Sequence, residues 1–99
     1  MGKRVNYEEA AQILKALSHP LRLQIVHGLL HDGCHNVRCM EYHTGVSQSC
    51  ISQHLQRLRA AGVVTAARAG NEVYYRASSR QVGDLVAALT GEEAINYVV

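Results

Sequence analysis

The stretch from Val46 to Arg76 limits the fold more tightly than any other part of this 99-residue chain. Ile51, Leu55, Leu58 and Ala61 recur at helical spacing and define one buried stripe. Ser47 is placed to cap that helix, and Gly62 to stop it. Immediately afterwards the apolar period changes from helix to strand. Val63 to Ala69 and Glu72 to Ala77 read as two strands joined at Gly70-Asn71, a two-residue hairpin turn. A helix that runs straight into a tight hairpin leaves few architectures for a chain of one-domain length.

The flanking sequence supplies helices. Asn6 followed by Glu9 resembles a capping box, and Ala10, Ile13, Leu14 and Leu17 then share a face, which predicts a helix from about Tyr7 to Leu17. Pro20 suits the first position of a second helix, capped by Ser18 or His19. That helix carries Leu21, Ile25, Val26, Leu29 and Leu30 inward and stops at Asp32-Gly33. Asn36 caps a short third helix, Val37 to Thr44, which Gly45 ends. Ser78 with Gln81 opens a fifth, with Val82, Leu85, Val86 and Leu89 as its apolar side. Gly91 interrupts it, leaving Glu92 to Val99 as a short continuation or a frayed tail. The order α-α-α-α-β-β-α gives a mostly α fold with a small β-hairpin. Residues 1–99 read as a single winged helix-turn-helix domain, with 37–62 as the helix-turn-helix and 63–77 as the wing.

Function is first visible in what the fourth helix shows outward. With its apolar stripe turned in, Gln48, Ser49, Ser52, Gln53 and Gln56 must face away from the core. A polar helix face is ordinarily just solvated. This one lacks Glu, Asp and Lys, the usual solubilising residues, and carries the side chains that read base edges in a major groove. Gln53 can grip adenine in a bidentate way. Arg57 and Arg59, lower on the helix, suit phosphates, and Arg68 and Arg76 flank a tip at Asn71 that can reach the neighbouring groove or backbone. The net charge of +2 is modest, yet from Val46 to Arg80 there are five arginines against the single acid Glu72. Positive potential is thus gathered on the suspected reading head, as duplex DNA requires. No nucleophile elbow, phosphate loop or paired carboxylate is present in the sequence, so no enzyme is expected. There is no leader-like segment and no apolar run long enough for a bilayer, which gives the expectation of a cytoplasmic protein without membrane contact. His54 lies between stripe and polar face and reads as a packed, hydrogen-bonded residue. Tyr74 and Tyr75 alternate across the second strand, so one should pack inward and the other lie outside.

Three segments carry a family resemblance: Ala-Leu-Ser-His-Pro-Leu-Arg-Leu-Gln-Ile-Val at 16–26, Ile-Ser-Gln-His-Leu-Gln-Arg-Leu-Arg-Ala-Ala-Gly-Val-Val at 51–64, and Gly-Asn-Glu-Val-Tyr-Tyr-Arg at 70–76. Together they resemble the ArsR/SmtB family of bacterial repressors over about residues 10–89. The resemblance implies a homodimer built through the first and fifth helices. It implies double-stranded operator DNA as partner, an imperfect palindrome with recognition helices roughly 34 Å apart, and release of that DNA by a ligand or oxidant.

The thiols available for sensing are Cys34, Cys39 and Cys50. Cys39 and Cys50 fall in the first turns of helices, where free N–H groups and a partial positive charge raise thiol reactivity. A thiol switch responding to an oxidant, reactive sulfur or an electrophile is the leading expectation. In continuous helix, Cα atoms five residues apart are roughly 8 Å from each other, too far for a disulfide. A Cys34–Cys39 bond therefore needs loop conformation at Cys34 or an unwound first turn in the third helix, and either strain would tilt the recognition helix.

A soft metal or arsenite held by Cys34, Cys39 and Cys50 is the alternative, and His31, His35 and His43 nearby add a mixed Cys/His metal or haem site. A non-sensing DNA-binding or protein-interaction module is a further one. The resemblance narrows these choices. The helix-three thiolates of the arsenic- and cadmium-sensing relatives would fall on Asn36, Arg38 and Glu41, none of them Cys. The helix-five zinc site would need His, where this chain offers Asp84, Glu92 and Glu93. The helix-two cysteine of persulfide-sensing relatives corresponds to His27, and the fifth helix has no Cys.

Overall fold

A computed structural model describes residues 4–91 of the chain. Helices α1 (Tyr7–Leu17), α2 (Pro20–His31), α3 (Val37–Thr44) and α4 (Gln48–Ala60) precede strands β1 (Val64–Ala69) and β2 (Glu72–Ala77), and α5 (Arg80–Thr90) closes the order. This is a winged helix-turn-helix. The tail 92–99, read as a continuation or a frayed end, lies outside the described residues.

Each helix begins where a short polar side chain satisfies an otherwise unpaired N–H group. Asn6 accepts from Glu9 N at 3.0 Å, Asn36 from Cys39 N at 2.8 Å and Ser47 from Cys50 N at 3.4 Å. Of the two candidates for α2, His19 is the cap, its Nδ1 accepting from Leu21 N at 3.2 Å. At α5 the expectation fails by one residue: Ser79, not Ser78, caps the helix. Ser78 is committed elsewhere, its hydroxyl donating to the Gly62 carbonyl at 2.6 Å and its N–H to the Val63 carbonyl at 2.9 Å. The wing starts one residue late for a similar reason. Val63 N–H donates to Leu58 O at 2.9 Å, which spends the residue on ending α4.

Between α3 and α4 the chain turns through Gly45, whose φ of 72° is left-handed and open to glycine without strain. Thr44 braces this turn, donating to Met40 O at 2.7 Å and accepting from Val46 N at 3.1 Å.

All five helices and β1 contribute to one core. Leu17, Ile25, Val26, Leu29, Met40, Ile51, Leu55, Leu58, Val64, Val82 and Val86 are buried, joined by Val63 and Cys34 from the connections. The antiparallel hairpin pairs Val64 with Ala77 at its base and Ala69 with Glu72 at its tip. Tyr75 packs inward while Tyr74 on the other face is 40% exposed. Three apolar residues read as core-facing are not. Leu14 is 56% exposed and Leu89 62%, and Ala10 is exposed as well. Periodicity fixes which residues share a face, but not whether this chain's own core reaches that far along it. No helix among the described residues is long and apolar enough to cross a membrane.

Leu58 is fully buried where α4 meets the core. Leu58→Ala should cost roughly 2–5 kcal/mol, because the surroundings of a closely packed site relax only in part. Denaturant unfolding at fixed protein concentration reads this as a lowered midpoint.

Candidate nucleic-acid interface and thiol pair

The interface is set by rotation of one helix. Ile51 and Leu58 are fully buried and Leu55 is 1% exposed, so the opposite side of α4 turns to solvent. Gln48, Ser49, Gln53 and Gln56 are exposed and Ser52 is half-buried; none is occluded by the chain's own interior. Gln48 and Ser52 line a groove of about 400 Å³ with Asn71 and Val73 of the hairpin and Arg38 and Glu41 of α3. Helix α4 and the wing tip thus share one concave surface.

The arginines divide. In the strand register Arg68 opposes Val73 beside the tip, on the same face as Tyr75, whereas Arg76 opposes Thr65 near the base on the other face. Only Arg68 is a tip residue. Arg57 lines a separate hollow with Lys15 of α1 and Arg22 of α2, on another side of α4 from the groove. Arg38 lines this groove as well, although the arginine cluster read from the sequence begins at Val46. Its position in the second residue of α3, inside the helix-turn-helix, was the available signal.

His54 ties α4 to the start of α2. Arg22 Nε donates to its Nδ1 at 3.1 Å, and the His19 ring lies 4.7 Å away, centroid to centroid. Because a guanidinium can only donate, this bond requires an unprotonated Nδ1. Burial, and then the neighbouring His19, Arg22 and Arg57, hold the His54 pKa below the ordinary histidine value. The residue is structural in this arrangement.

Cys34 and Cys39 are joined in a disulfide with Cα atoms 5.5 Å apart. Of the two routes to such a bond, the chain takes the loop conformation at Cys34; α3 keeps its first turn, with Met40 N–H bonded to Asn36 O at 3.1 Å. Gly33 at φ 63° turns the chain after α2, and Cys34 N–H then returns to Gly28 O at 3.2 Å. Cys34 is buried at 3% exposure, Cys39 is half-buried.

The intervening loop is fastened to the wing. Tyr75 N–H donates to His35 O at 2.8 Å, and His35 Nδ1 lies 3.0 Å from Tyr75 O. Cys50 is a free, half-buried thiol and stands apart from this pair. The residue that joins Cys34 and Cys39 is His43, with its ring nitrogen and both sulfurs within 4.8 Å of one another. The three-cysteine set is therefore not assembled.

The sequence profile of the bacterial regulatory proteins of the arsR family matches residues 19–66. A biofilm growth-associated repressor of Xylella fastidiosa is 39% identical over 89 residues, covering 90% of this chain and 75% of that protein. The chain belongs to the arsR family. As a family member it is a transcriptional regulator, not an enzyme.

Solved structures agree with the fold. Reduced HlyU from Vibrio cholerae superposes with a TM-score of 0.74 at 34% identity, covering 83% of this chain and 85% of that one. A homodimeric winged helix-turn-helix DNA-binding domain from Mycobacterium bovis gives 0.73 at 31% identity, covering 100% and 94%.

The His54 environment sets a pH dependence. A pKa lowered by folding means that the unfolded chain binds the proton more readily, so stability is present above the unfolded value. It is lost as pH falls below about 6.5 and through the folded value. Between pH 7 and 5, His54→Gln should unfold with a shallower loss of stability than the parent chain, measured by thermal melts across that range. Identical slopes would show that the ring does not titrate in this way.

Proposed function

We propose that this arsR-family protein is a homodimeric repressor that binds double-stranded operator DNA through α4 and the hairpin, and is released by oxidation of Cys34 and Cys39. The DNA reading is carried by one observation: an outward α4 face of Gln and Ser without acids, sharing a groove with the wing tip. Gln53, Gln48, Ser49, Ser52 and Gln56 are the base-reading set. Arg68 and Asn71 act at the tip, and Arg57 and Arg76 serve phosphates farther out. Leu14 and Leu89, exposed on α1 and α5, are the apolar surface a second copy would cover. The homodimeric relative from Mycobacterium bovis supports that assembly.

The switch reading is supported by where the thiols lie. Cys39 belongs to α3, which leads into the reading helix, and the loop after Cys34 is hydrogen-bonded to β2 of the wing. Closing the bond fixes the spacing between those two attachments, and opening it frees them to move. With a hydroperoxide as oxidant, two thiols give up two hydrogens, one S–S bond forms, the O–O bond breaks, and an alcohol and water leave. That a relative has been solved in a form described as reduced agrees with a redox-responsive regulator.

Two measurements separate the parts of this proposal. On a duplex selected from random-sequence DNA, Gln53→Ala should relax discrimination at one position by about 1–3 kcal/mol. Arg68→Ala should instead weaken all duplexes alike and lower the salt slope by about one. Equal effects of both variants on selected and random DNA would refute the assigned roles. For the switch, peroxide-treated protein should bind the selected duplex about tenfold or more weakly than reduced protein, a coupling of about 1.4 kcal/mol. Cys34→Ser should abolish the difference and Cys50→Ser should retain it. Unchanged affinity of the oxidised parent chain would eliminate the thiol switch.

A further inference from the structure

The geometry points to a transition-metal site formed by Cys34, Cys39 and His43 when the two thiols are reduced, taking Zn2+ or a similar thiophilic divalent cation. Cys39 and His43 are one helical turn apart in α3 and so project from the same face. Cys34 reaches that face from the loop. The two sulfurs and the imidazole nitrogen already lie within 4.8 Å of one another. Tetrahedral zinc with Zn–S bonds near 2.3 Å holds two sulfurs about 3.8 Å apart. Breaking the S–S bond and letting the sulfurs relax to that spacing needs only side-chain adjustment, since the backbone already brings the cysteine Cα atoms to 5.5 Å.

The surroundings suit a cation. Cys34 and His43 line one cavity of about 220 Å³ with His27, Asp32 and Met40, so an ion has an entry path to the buried sulfur. Two thiolates balance a divalent charge, leaving a neutral complex where Cys34 has almost no contact with water. A buried lone thiolate would not be so compensated. His43 is exposed, which leaves a fourth position for water on the solvent side. Sulfur and imidazole ligands favour zinc and cadmium over magnesium or calcium.

This inference deepens the thiol reading, on which it rests only in needing the same two sulfurs reduced. Metal and disulfide then exclude each other. Hydroperoxide acting on the metal form takes two electrons from the bound thiolates and consumes two protons. It closes the S–S bond, frees the divalent ion and yields alcohol and water. Bound zinc should therefore slow disulfide formation.

The reduced protein titrated with Co2+ should take up one ion per chain, with sulfur-to-cobalt charge-transfer and tetrahedral visible bands, and Zn2+ should displace it. Cys34→Ser and Cys39→Ser should lose binding. His43→Ala and His43→Gln should weaken it about tenfold or more, while Cys50→Ser should match the parent chain. Both His43 variants should keep the parent chain's far-ultraviolet circular dichroism and cooperative thermal melt, which shows that they are folded.

Parent-like affinity in both His43 variants, or loss in Cys50→Ser, would overturn the site. No metal uptake by a chain whose DNA affinity still responds to peroxide rejects the site and leaves the switch standing. Uptake through these three residues with no redox effect on DNA does the reverse.

Discussion

The outward Gln and Ser face and its groove with the wing depend on the seating of α4. Ile51, Leu55 and Leu58 are at or near zero exposure, and burying each such aliphatic side chain stabilises the fold by about 1.5–3 kcal/mol. A helix fixed at three points on one stripe has no freedom to roll, since a turn of one residue would bring all three into water. The Gln and Ser face is thereby oriented without any bond of its own to the body. Arg22 and His19 add a polar clamp through His54 at the edge of the stripe. Burial sets the rotation, and the clamp ties the flank of α4 to the start of α2.

In the proposed switch, the same core explains how a small covalent change reaches the outward face of α4. Cys34 is a core residue that stands against Gly28 of α2, with 3.7 Å between its Cβ and the place a glycine Cβ would occupy. Two residues on, Asn36 caps α3 by accepting from Cys39 itself at 2.8 Å. Between them His35 exchanges hydrogen bonds with Tyr75 of the wing. Six residues thus join α2, α3 and β2, and the sulfur pair spans that junction. Closely packed interiors transmit small displacements because they have little free volume to absorb them. In the proposed switch the signal acts inside one subunit. That is a different route from ligands on the fifth helix, which would act at the proposed dimer contact.

Much of this was legible in the residues. The caps Asn6, Asn36 and Ser47, the stops Gly45 and Gly62, and the Gly70-Asn71 turn each have a local chemical reason, and local reasons survive folding. The outward face of α4 was legible too, because its inward stripe is unambiguous. Ser79 displaced Ser78 as a cap because Ser78 has a long-range partner in Gly62, 16 residues away, that no local pattern records. Arg68 and Arg76 looked equivalent until the register put them at opposite ends and on opposite faces of the hairpin. For the thiols, Cys39 and His43 were already one turn apart in the sequence. The helix stop at Asp32-Gly33 was legible too, but not that the bend there brings Cys34 to the same place.

Leu14 and Leu89 show the limit of pattern from another side. An amphipathic period records that a side chain avoids water, but carries no mark of whether its own chain or a second one covers it. Both lie on the helices that the family resemblance assigns to dimerisation, and both stay exposed in the single chain. If a second copy covers them, the two reading heads become parts of one rigid body, and their separation becomes a property of the α1 and α5 surfaces. Operator spacing would then be specified by apolar packing remote from the DNA, while base preference is specified by the uncharged face of α4. One sequence can tune either without disturbing the other, because the core stripe of α4 lies between them.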